Sequence, residues 1–183
     1  MSNKDSGLEI LLMNKIETAR LRLRPFAEGD LEALVALNSD REVMKHITGG
    51  EPMPPEQSEA RLKFYLSHWQ QHGFGLFAVE YKGKDEFAGF CGIQYLDNTT
   101  EVEIGYRLAK DYWGKGIATE SAKACLKFGF GDVKLDRIVA VVRPDNLASQ
   151  HVLEKIGLRY EKLAHYYNVD VMYYSINRDE YKQ

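Results

Sequence analysis

Two glycines, Gly114 and Gly116, stand between a run that alternates like a strand and a run with helical spacing. Upstream, Glu101-Val102-Glu103-Ile104-Gly105-Tyr106-Arg107-Leu108 alternates polar and apolar, as a half-buried strand does. Downstream, Ala118, Ala122 and Cys125 recur at the spacing of one helix face. A strand, a short glycine turn and a helix start build an anion site. The first helical N–H groups have no partner, the helix dipole adds partial positive charge, and glycine admits a phosphate without a Cβ in its way. The spacing differs from a Walker loop, which needs four residues between its glycine and a Gly-Lys-Ser/Thr end, and from the longer Gly-x-Gly-x-x-Gly fingerprint. An ordinary tight turn before a small-residue helix would produce the same pattern.

The same strand carries two carboxylates, Glu101 and Glu103, on one face, because same-face positions on a strand recur at i and i+2. A strand carboxylate can accept a proton, and it can equally make a solvated cross-strand pair. His68 and His72 have the one-turn spacing of a metal pair, but Trp69-Gln70-Gln71 between them lacks the glutamate of a metalloprotease helix. No third ligand is evident, and no metal is expected. Cys91 and Cys125 lack close-spaced partners and read as small core residues.

Other elements must position these groups. Arg20 to Arg24 alternates as a strand and leads to Pro25, and Asp30 occupies an N-cap position ahead of Leu31, Leu34, Val35 and Leu37. A breaker-rich loop, Thr48 to Pro55, precedes a helix from about Glu56 to His72 with Leu62, Tyr65, Leu66 and Trp69 on one face. Strands follow near Gly75 to Tyr81, Phe87 to Tyr95 and Glu101 to Leu108, joined by Lys82-Gly83-Lys84-Asp85 and Asp97-Asn98-Thr99-Thr100 as hairpin turns. After the glycine-turn helix, Asp136 to Val142 reads as a strand. Arg143 to Ser149 then turns into a helix with Val152, Leu153 and Ile156 on its apolar face, closed by Gly157. Two final strands are expected near Leu158 to Leu163 and Val171 to Ile176. Strands in series followed by β-α-β-α-β predict an α/β chain with a mixed sheet and helices on both faces.

The 183 residues suit one domain, read as residues 18–183 behind an extension of residues 1–17. A net charge of −3 does not suit a nucleic-acid backbone as principal partner. No run of eighteen apolar residues argues for a membrane span. The apolar run from Leu8 to Met13 is short and interrupted by Glu9, unlike a secretory signal, so a cytoplasmic location is the expectation.

Four pieces, in order, resemble the GNAT superfamily of acyl-CoA N-acyltransferases, and more narrowly its RimJ/RimL-type branch. Thr18-Ala19-Arg20-Leu21-Arg22-Leu23-Arg24-Pro25 is similar to that branch's first strand, and Glu103-Ile104-Gly105-Tyr106 to its central strand. Trp113-Gly114-Lys115-Gly116-Ile117-Ala118-Thr119-Glu120 resembles its pyrophosphate loop. Asn146-x-x-Ser149 with Glu154-Lys155-Ile156-Gly157 resembles its last helix. The resemblance implies the GNAT fold: a central, mostly antiparallel sheet, splayed at the cofactor, with helices on both faces.

It also implies acetyl-CoA as cosubstrate, without a metal. The pyrophosphate would sit on the N–H groups from Gly114 through Lys115, Gly116, Ile117 and Ala118 to Thr119, and the pantetheine along the backbone of Tyr106, Arg107 and Leu108. Asn146 would hold the pantetheine from the other side, although a local helix cap explains an asparagine there equally well. Trp113 stands where most of the superfamily has Arg or Gln, a change that removes one possible polar contact, and Lys115 is either a phosphate contact or a solvated loop lysine. Glu103 matches an acidic position common in the family and is the expected base, with Glu101 as its neighbour on the same face. The superfamily's tyrosine acid before Glu154 is replaced by Leu153. Ser149 is then the candidate to interact with the leaving sulfur, beside its ordinary reading as a first-turn helix serine. His68 with His72 is expected at the surface or on the acceptor side, and Tyr166, Tyr167, Tyr173 and Tyr174 either line the acceptor groove or pack the late strands.

The function implied is acetyl transfer from acetyl-CoA to a primary amine, such as a protein N-terminus, by a monomer or homodimer. A small-molecule amine (polyamine, amino sugar or drug) is the alternative within the enzyme class. A non-catalytic acyl-CoA-binding sensor is the alternative outside it. The Thr48 to Pro55 loop and the start of the Glu56 helix are expected to control which amine is accepted.

Overall fold

A computed structural model of the chain describes residues 14–182. Eight strands form one sheet: β1 (Ile16–Glu17), β2 (Leu21–Pro25), β3 (Leu76–Tyr81), β4 (Glu86–Tyr95), β5 (Val102–Leu108), β6 (Arg137–Val142), β7 (Arg159–Tyr166) and β8 (Val169–Asn177). Five helices accompany them: α1 (Leu31–Ser39), α2 (Arg41–Met44), α3 (Pro55–His72), α4 (Ile117–Gly131) and α5 (Leu147–Lys155). The strand order is β1-β2-β3-β4-β5-β6-β8-β7, and every neighbouring pair is antiparallel except β5 with β6.

Strand β3 shows why the sheet lies at the centre. Its Leu76, Phe77, Ala78 and Val79 are all buried, a continuous apolar run that suits a strand covered on both faces. Leu76 and Ala78 join the core of Leu34, Leu37, Leu62 and Tyr65 from α1 and α3. Phe77 and Val79 join Ala122, Cys125 and Leu126 of α4 and Leu153 of α5. The period of two thus assigns the helices to opposite faces. Helix α3 begins with proline at its first position and ends at Gly73, whose left-handed φ of 71° lets its N–H bond back to the Trp69 carbonyl.

Three details differ from the sequence reading. The sheet begins at Ile16, whose strand pairs with β2, so pairing starts ahead of Thr18. Asp30 does not cap α1 with its side chain: a 3₁₀ turn, Glu28–Asp30, precedes that helix. The Asp30 carboxylate instead accepts from the Ala27 N–H at 2.8 Å and forms a two-pronged ion pair with Arg24 at 2.7 Å per contact. His68 is buried rather than at the surface. Its Nδ1 lies 2.8 Å from the Phe74 carbonyl and its Nε2 accepts from the Tyr95 N–H at 3.3 Å, so the ring staples α3 to β4. The apolar run from Leu8 to Met13 lies outside the described residues.

One feature of the sheet prepares the site. Parallel pairing between β5 and β6 consists of a single register pair, Glu103 with Val139, whereas β5 stays paired with β4 from Val102 to Leu108. The two parallel strands part beyond Glu103, and Tyr106 to Leu108 form one wall of the opening.

Candidate active site

Where β5 has parted from β6, its last residues face a cleft of about 500 Å³. Its first wall is Tyr106, Arg107 and Leu108, its floor is the turn from Trp113 to Thr119, and its far wall is the start of α5 with Asn146 and Ser149. Each wall has a local physical cause.

The floor depends on two left-handed glycines, Gly114 at φ 68° and Gly116 at φ 75°. Gly116 is the N-cap of α4, and no side chain caps that helix. The first-turn N–H groups therefore have no side-chain acceptor, and the dipole of a helix 15 residues long ends at the cleft. Trp113 closes the turn onto the strand: its indole N–H donates to the Leu108 carbonyl at 2.8 Å. Lys115 does not line the cleft. Its carbonyl instead accepts from the Arg20 guanidinium at 2.8 Å.

A network unseen in the sequence braces this floor. Glu120, in the first turn of α4, accepts from the Thr18 hydroxyl at 2.6 Å, the Arg20 N–H at 3.0 Å and Arg20 Nε at 2.7 Å. Thr18 and Arg20 belong to one motif and Glu120 to another about a hundred residues away, and nothing in their spacing signals that they meet.

On the far wall the Asn146 side chain accepts from the Ser149 N–H at 3.2 Å, so it caps α5 while lining the cleft. The Tyr106 hydroxyl donates to the Ser149 carbonyl at 3.1 Å and ties β5 to α5 across the gap. Burial pushes the Tyr106 phenol well above the usual tyrosine range, so it stays protonated and remains a donor. Arg107 points to the other face of the sheet, where it donates to the Asn38 side chain and sits 5.2 Å from the Phe90 ring centroid. A third wall was not foreseen. Lys45, His46 and Ile47, just after α2, line the cleft, and His46 Nδ1 approaches the Asp145 carboxylate at 3.4 Å. Lys45 and His46 join His151 and Lys155 of α5 as basic residues lining the cleft, whereas Lys115 stays outside it.

Glu103 lies back from the cleft lining, where β5 and β6 still pair, and is 6% exposed. Its Oε1 accepts from the Tyr167 hydroxyl at 2.5 Å and from Gln94 Nε2 at 3.0 Å. Burial raises its carboxyl above the usual glutamate value, the two hydrogen bonds oppose that shift, and the Asp97 charge adds to it. Glu101 accepts from Tyr173 at 2.5 Å and Tyr166 at 3.5 Å. Three of the four tyrosines singled out in the late strands therefore hold these two carboxylates, while Tyr174 packs in the core against Tyr160. Glu51 in the Thr48 to Pro55 loop and Glu56 in the first turn of α3 are exposed and do not line the cleft. Among the described residues, no group of three or more His, Cys, Asp or Glu side chains is arranged to hold a metal ion.

Comparison with known proteins identifies the family of the chain. The family described as the acetyltransferase (GNAT) domain matches residues 20–159. The uncharacterized protein YkkB of Bacillus subtilis is 35% identical over 163 residues, covering 87% of this chain and 94% of its own. A GNAT-family acetyltransferase of Bacillus anthracis superposes with a TM-score of 0.77 at 31% identity, covering 91% of this chain and 99% of its own. Mycobacterium smegmatis RimJ, solved with a CoA disulfide, superposes at 0.72 with 26% identity, covering 89% of this chain and 84% of its own. A glycine turn uncapped at the head of α4, at the mouth of two parting parallel strands, thus sits in a chain that belongs to the GNAT family of acetyl-CoA-dependent N-acetyltransferases.

Proposed function

We propose that the chain transfers the acetyl group of acetyl-CoA to a primary amine by direct attack, with Glu103 as the base. The observation that carries this reading is a buried carboxylate on β5, the strand whose continuation walls the cleft. The pantetheine would run along Tyr106, Arg107 and Leu108 with Asn146 opposite. The pyrophosphate would rest on the N–H groups of Gly114 to Thr119.

An amine is mostly protonated at neutral pH, with reference pKa values of about 8 for an α-amino group and about 10.4 for lysine. Glu103 takes that proton, the freed nitrogen lone pair attacks the thioester carbonyl, and collapse of the tetrahedral adduct breaks the C–S bond as the second nitrogen proton passes to solvent water. The electron pair leaves on sulfur. Ser149, at the head of α5, donates a hydrogen bond to that thiolate, which is a competent leaving group at neutral pH without a stronger acid. This accommodates Leu153, which is buried in the core and has no proton to give.

For the acceptor, a protein N-terminus of the RimJ/RimL type is supported by the putative ribosomal N-acetyltransferase YdaF of Bacillus subtilis, 28% identical over 138 residues. A second reading, a small polyamine, is favoured by the carboxylates of Asp97, Glu101 and Glu103 gathered through Tyr166 and Tyr167. Spermidine N(1)-acetyltransferase of Escherichia coli is 26% identical over 155 residues. Thiol release from acetyl-CoA, measured with N-terminal peptides beside spermidine and other small amines, tests both. Preference for peptides supports the first reading, preference for polyamines the second, and no release with any amine overturns the acceptor class.

A further inference from the structure

Tyr167 stands at the tip of the β7–β8 hairpin in a conformation that a tyrosine rarely adopts. The connection from Tyr166 to Val169 has two residues, Tyr167 at φ 53° and Asn168 at φ 60°. Both are left-handed, as the tight hairpin turn that matches strand twist requires. Asparagine tolerates that region, but a bulky aromatic is an outlier there and must be held by its surroundings.

What holds it is Asp97, itself left-handed at φ 46°, in the turn between β4 and β5. The Tyr167 N–H donates to Asp97 Oδ2 at 3.1 Å, and the Asp97 N–H donates to the Tyr167 hydroxyl at 3.0 Å. Two strained turns from distant parts of the chain are thereby clasped in both directions. The hydroxyl so placed donates its own proton to Glu103 Oε1 at 2.5 Å, and Gln94 Nε2 donates to the same oxygen. Burial and the Glu103 charge push the Tyr167 phenol well above its usual range, so the hydroxyl is a permanent donor.

We propose that Tyr167 is a positioning residue for Glu103: the clasp with Asp97 seats its hydroxyl on Oε1, which fixes the carboxylate and leaves Oε2 to receive the proton of the amine. The proposal rests on the reading of Glu103 as base. Tyr167 does not touch the reacting atoms. A purely structural clasp would stabilise the hairpin and leave the titration of Glu103 where it is. A positioning hydroxyl also favours the ionised carboxylate, and its loss must move that titration. The polar and charged groups facing Glu103 are Gln94 from β4, Asp97 from the β4–β5 turn and Tyr167 from the hairpin, with Glu101 two residues earlier, just ahead of β5, while Val139 pairs with Glu103 from β6.

The test is Tyr167→Phe, which keeps the ring and removes the hydroxyl. In protein carrying carbon-13 glutamate, the Glu103 side-chain carboxyl is followed by NMR against pH, its peak assigned by loss in Glu103→Gln. The expected result is a midpoint about one pH unit higher in Tyr167→Phe, the size of one hydrogen bond to a charged group. The acid limb of the rate profile, measured with the fastest amine among N-terminal peptides and spermidine, should move with it. Turnover should fall up to about tenfold on the acid side of the midpoint and recover at high pH, with the acetyl-CoA KM within about twofold of the parent. Matching far-UV circular dichroism and a cooperative melt establish that the variant folds. If Glu103→Gln loses turnover but Tyr167→Phe leaves both midpoint and acid limb in place, the role of Tyr167 is overturned and the base stands. If Glu103→Gln retains full turnover, the base assignment itself is overturned.

Discussion

Arg20 Nε lies 2.7 Å from Glu120 Oε2 and locks the bend between β1 and β2 to the first turn of α4. The same carboxylate takes the Thr18 hydroxyl and the Arg20 N–H, while a second Arg20 nitrogen holds the Lys115 carbonyl inside the glycine turn. The glycine-turn floor is therefore fastened from outside the cleft. Glu120→Ala should destabilise the fold by about 1–3 kcal/mol, because several donors lose one acceptor. It should also weaken acetyl-CoA binding several-fold with little change in turnover at saturation. Urea melts and calorimetry with acetyl-CoA check this, and unchanged affinity in a destabilised protein would show that the lock supports only the fold.

The Glu120 lock is also pH-linked. Burial opposes its charge, but hydrogen bonds from Thr18 and Arg20 outweigh that and hold the carboxyl below its ordinary value of 4.5. A depressed folded-state pKa contributes stability that is present above the unfolded value and disappears as pH falls through the folded one. The stability difference between the parent and Glu120→Gln should therefore shrink as pH drops below about 4.5.

At Gly116 the obstacle to substitution is the backbone. A Cβ added there would meet Arg20 Nη2 at 3.5 Å, an ordinary contact, but φ is 75°. A β-branched residue resists that left-handed conformation. Gly116→Val should either cost stability of about 1–3 kcal/mol with the turn intact, or flip the turn and remove the phosphate seat. Acetyl-CoA affinity should fall at least tenfold in a protein whose circular dichroism is unchanged. Parent-like affinity would move the cofactor away from this turn.

The parts of this fold legible in the sequence are those with a local cause. The glycine turn, the α5 start at Asn146 and the Pro55 to His72 helix carry their own capping and periodicity, so their bounds fall within a residue or two of the structure. Asp30 shows the limit. Its type suits a cap, but Arg24 competes for it, and a partner on a neighbouring strand leaves no trace in local spacing. His68 failed for a similar reason, because its histidine spacing says nothing of the Phe74 carbonyl and Tyr95 N–H that fill its two nitrogens. Tyr167 could have been flagged by the Tyr167-Asn168 pair between two strand-like runs, but its meeting with Glu103 and Asp97 is purely tertiary.

His68 predicts an acid sensitivity distinct from that of Glu120. Burial lowers its pKa below 6.5, and its hydrogen bonds suit a neutral ring. As pH falls below about 6.5 the unfolded chain takes up a proton that the folded one resists, so stability declines until the folded pKa is passed. At neutral pH, His68→Leu should cost about 1–3 kcal/mol by stranding the Phe74 carbonyl and the Tyr95 N–H. That cost should narrow between pH 7 and about pH 5, because only the parent pays the proton penalty. Denaturant melts across that range check it, and a constant gap would mean that the folded ring protonates as readily as the free one.

The chemistry itself is tested by Glu103→Gln and Ser149→Ala. Glutamine keeps the shape of the side chain and its Tyr167 contact but cannot accept a proton, so turnover should fall by about two to four powers of ten with acetyl-CoA binding retained. Because Glu103 must be ionised to act and burial raises its pKa above 4.5, the parent's rate should fall on an acid limb above that value. Raising the pH supplies more neutral amine and should partly rescue the variant. Ser149→Ala removes only a neutral hydrogen bond to a thiolate that already leaves readily, so about tenfold is expected, without movement of the acid limb. A Glu103→Gln enzyme with near-parent turnover at neutral pH would transfer the role to Glu101, which lies just ahead of β5 and is already held by Tyr173, or to a chain of bound water.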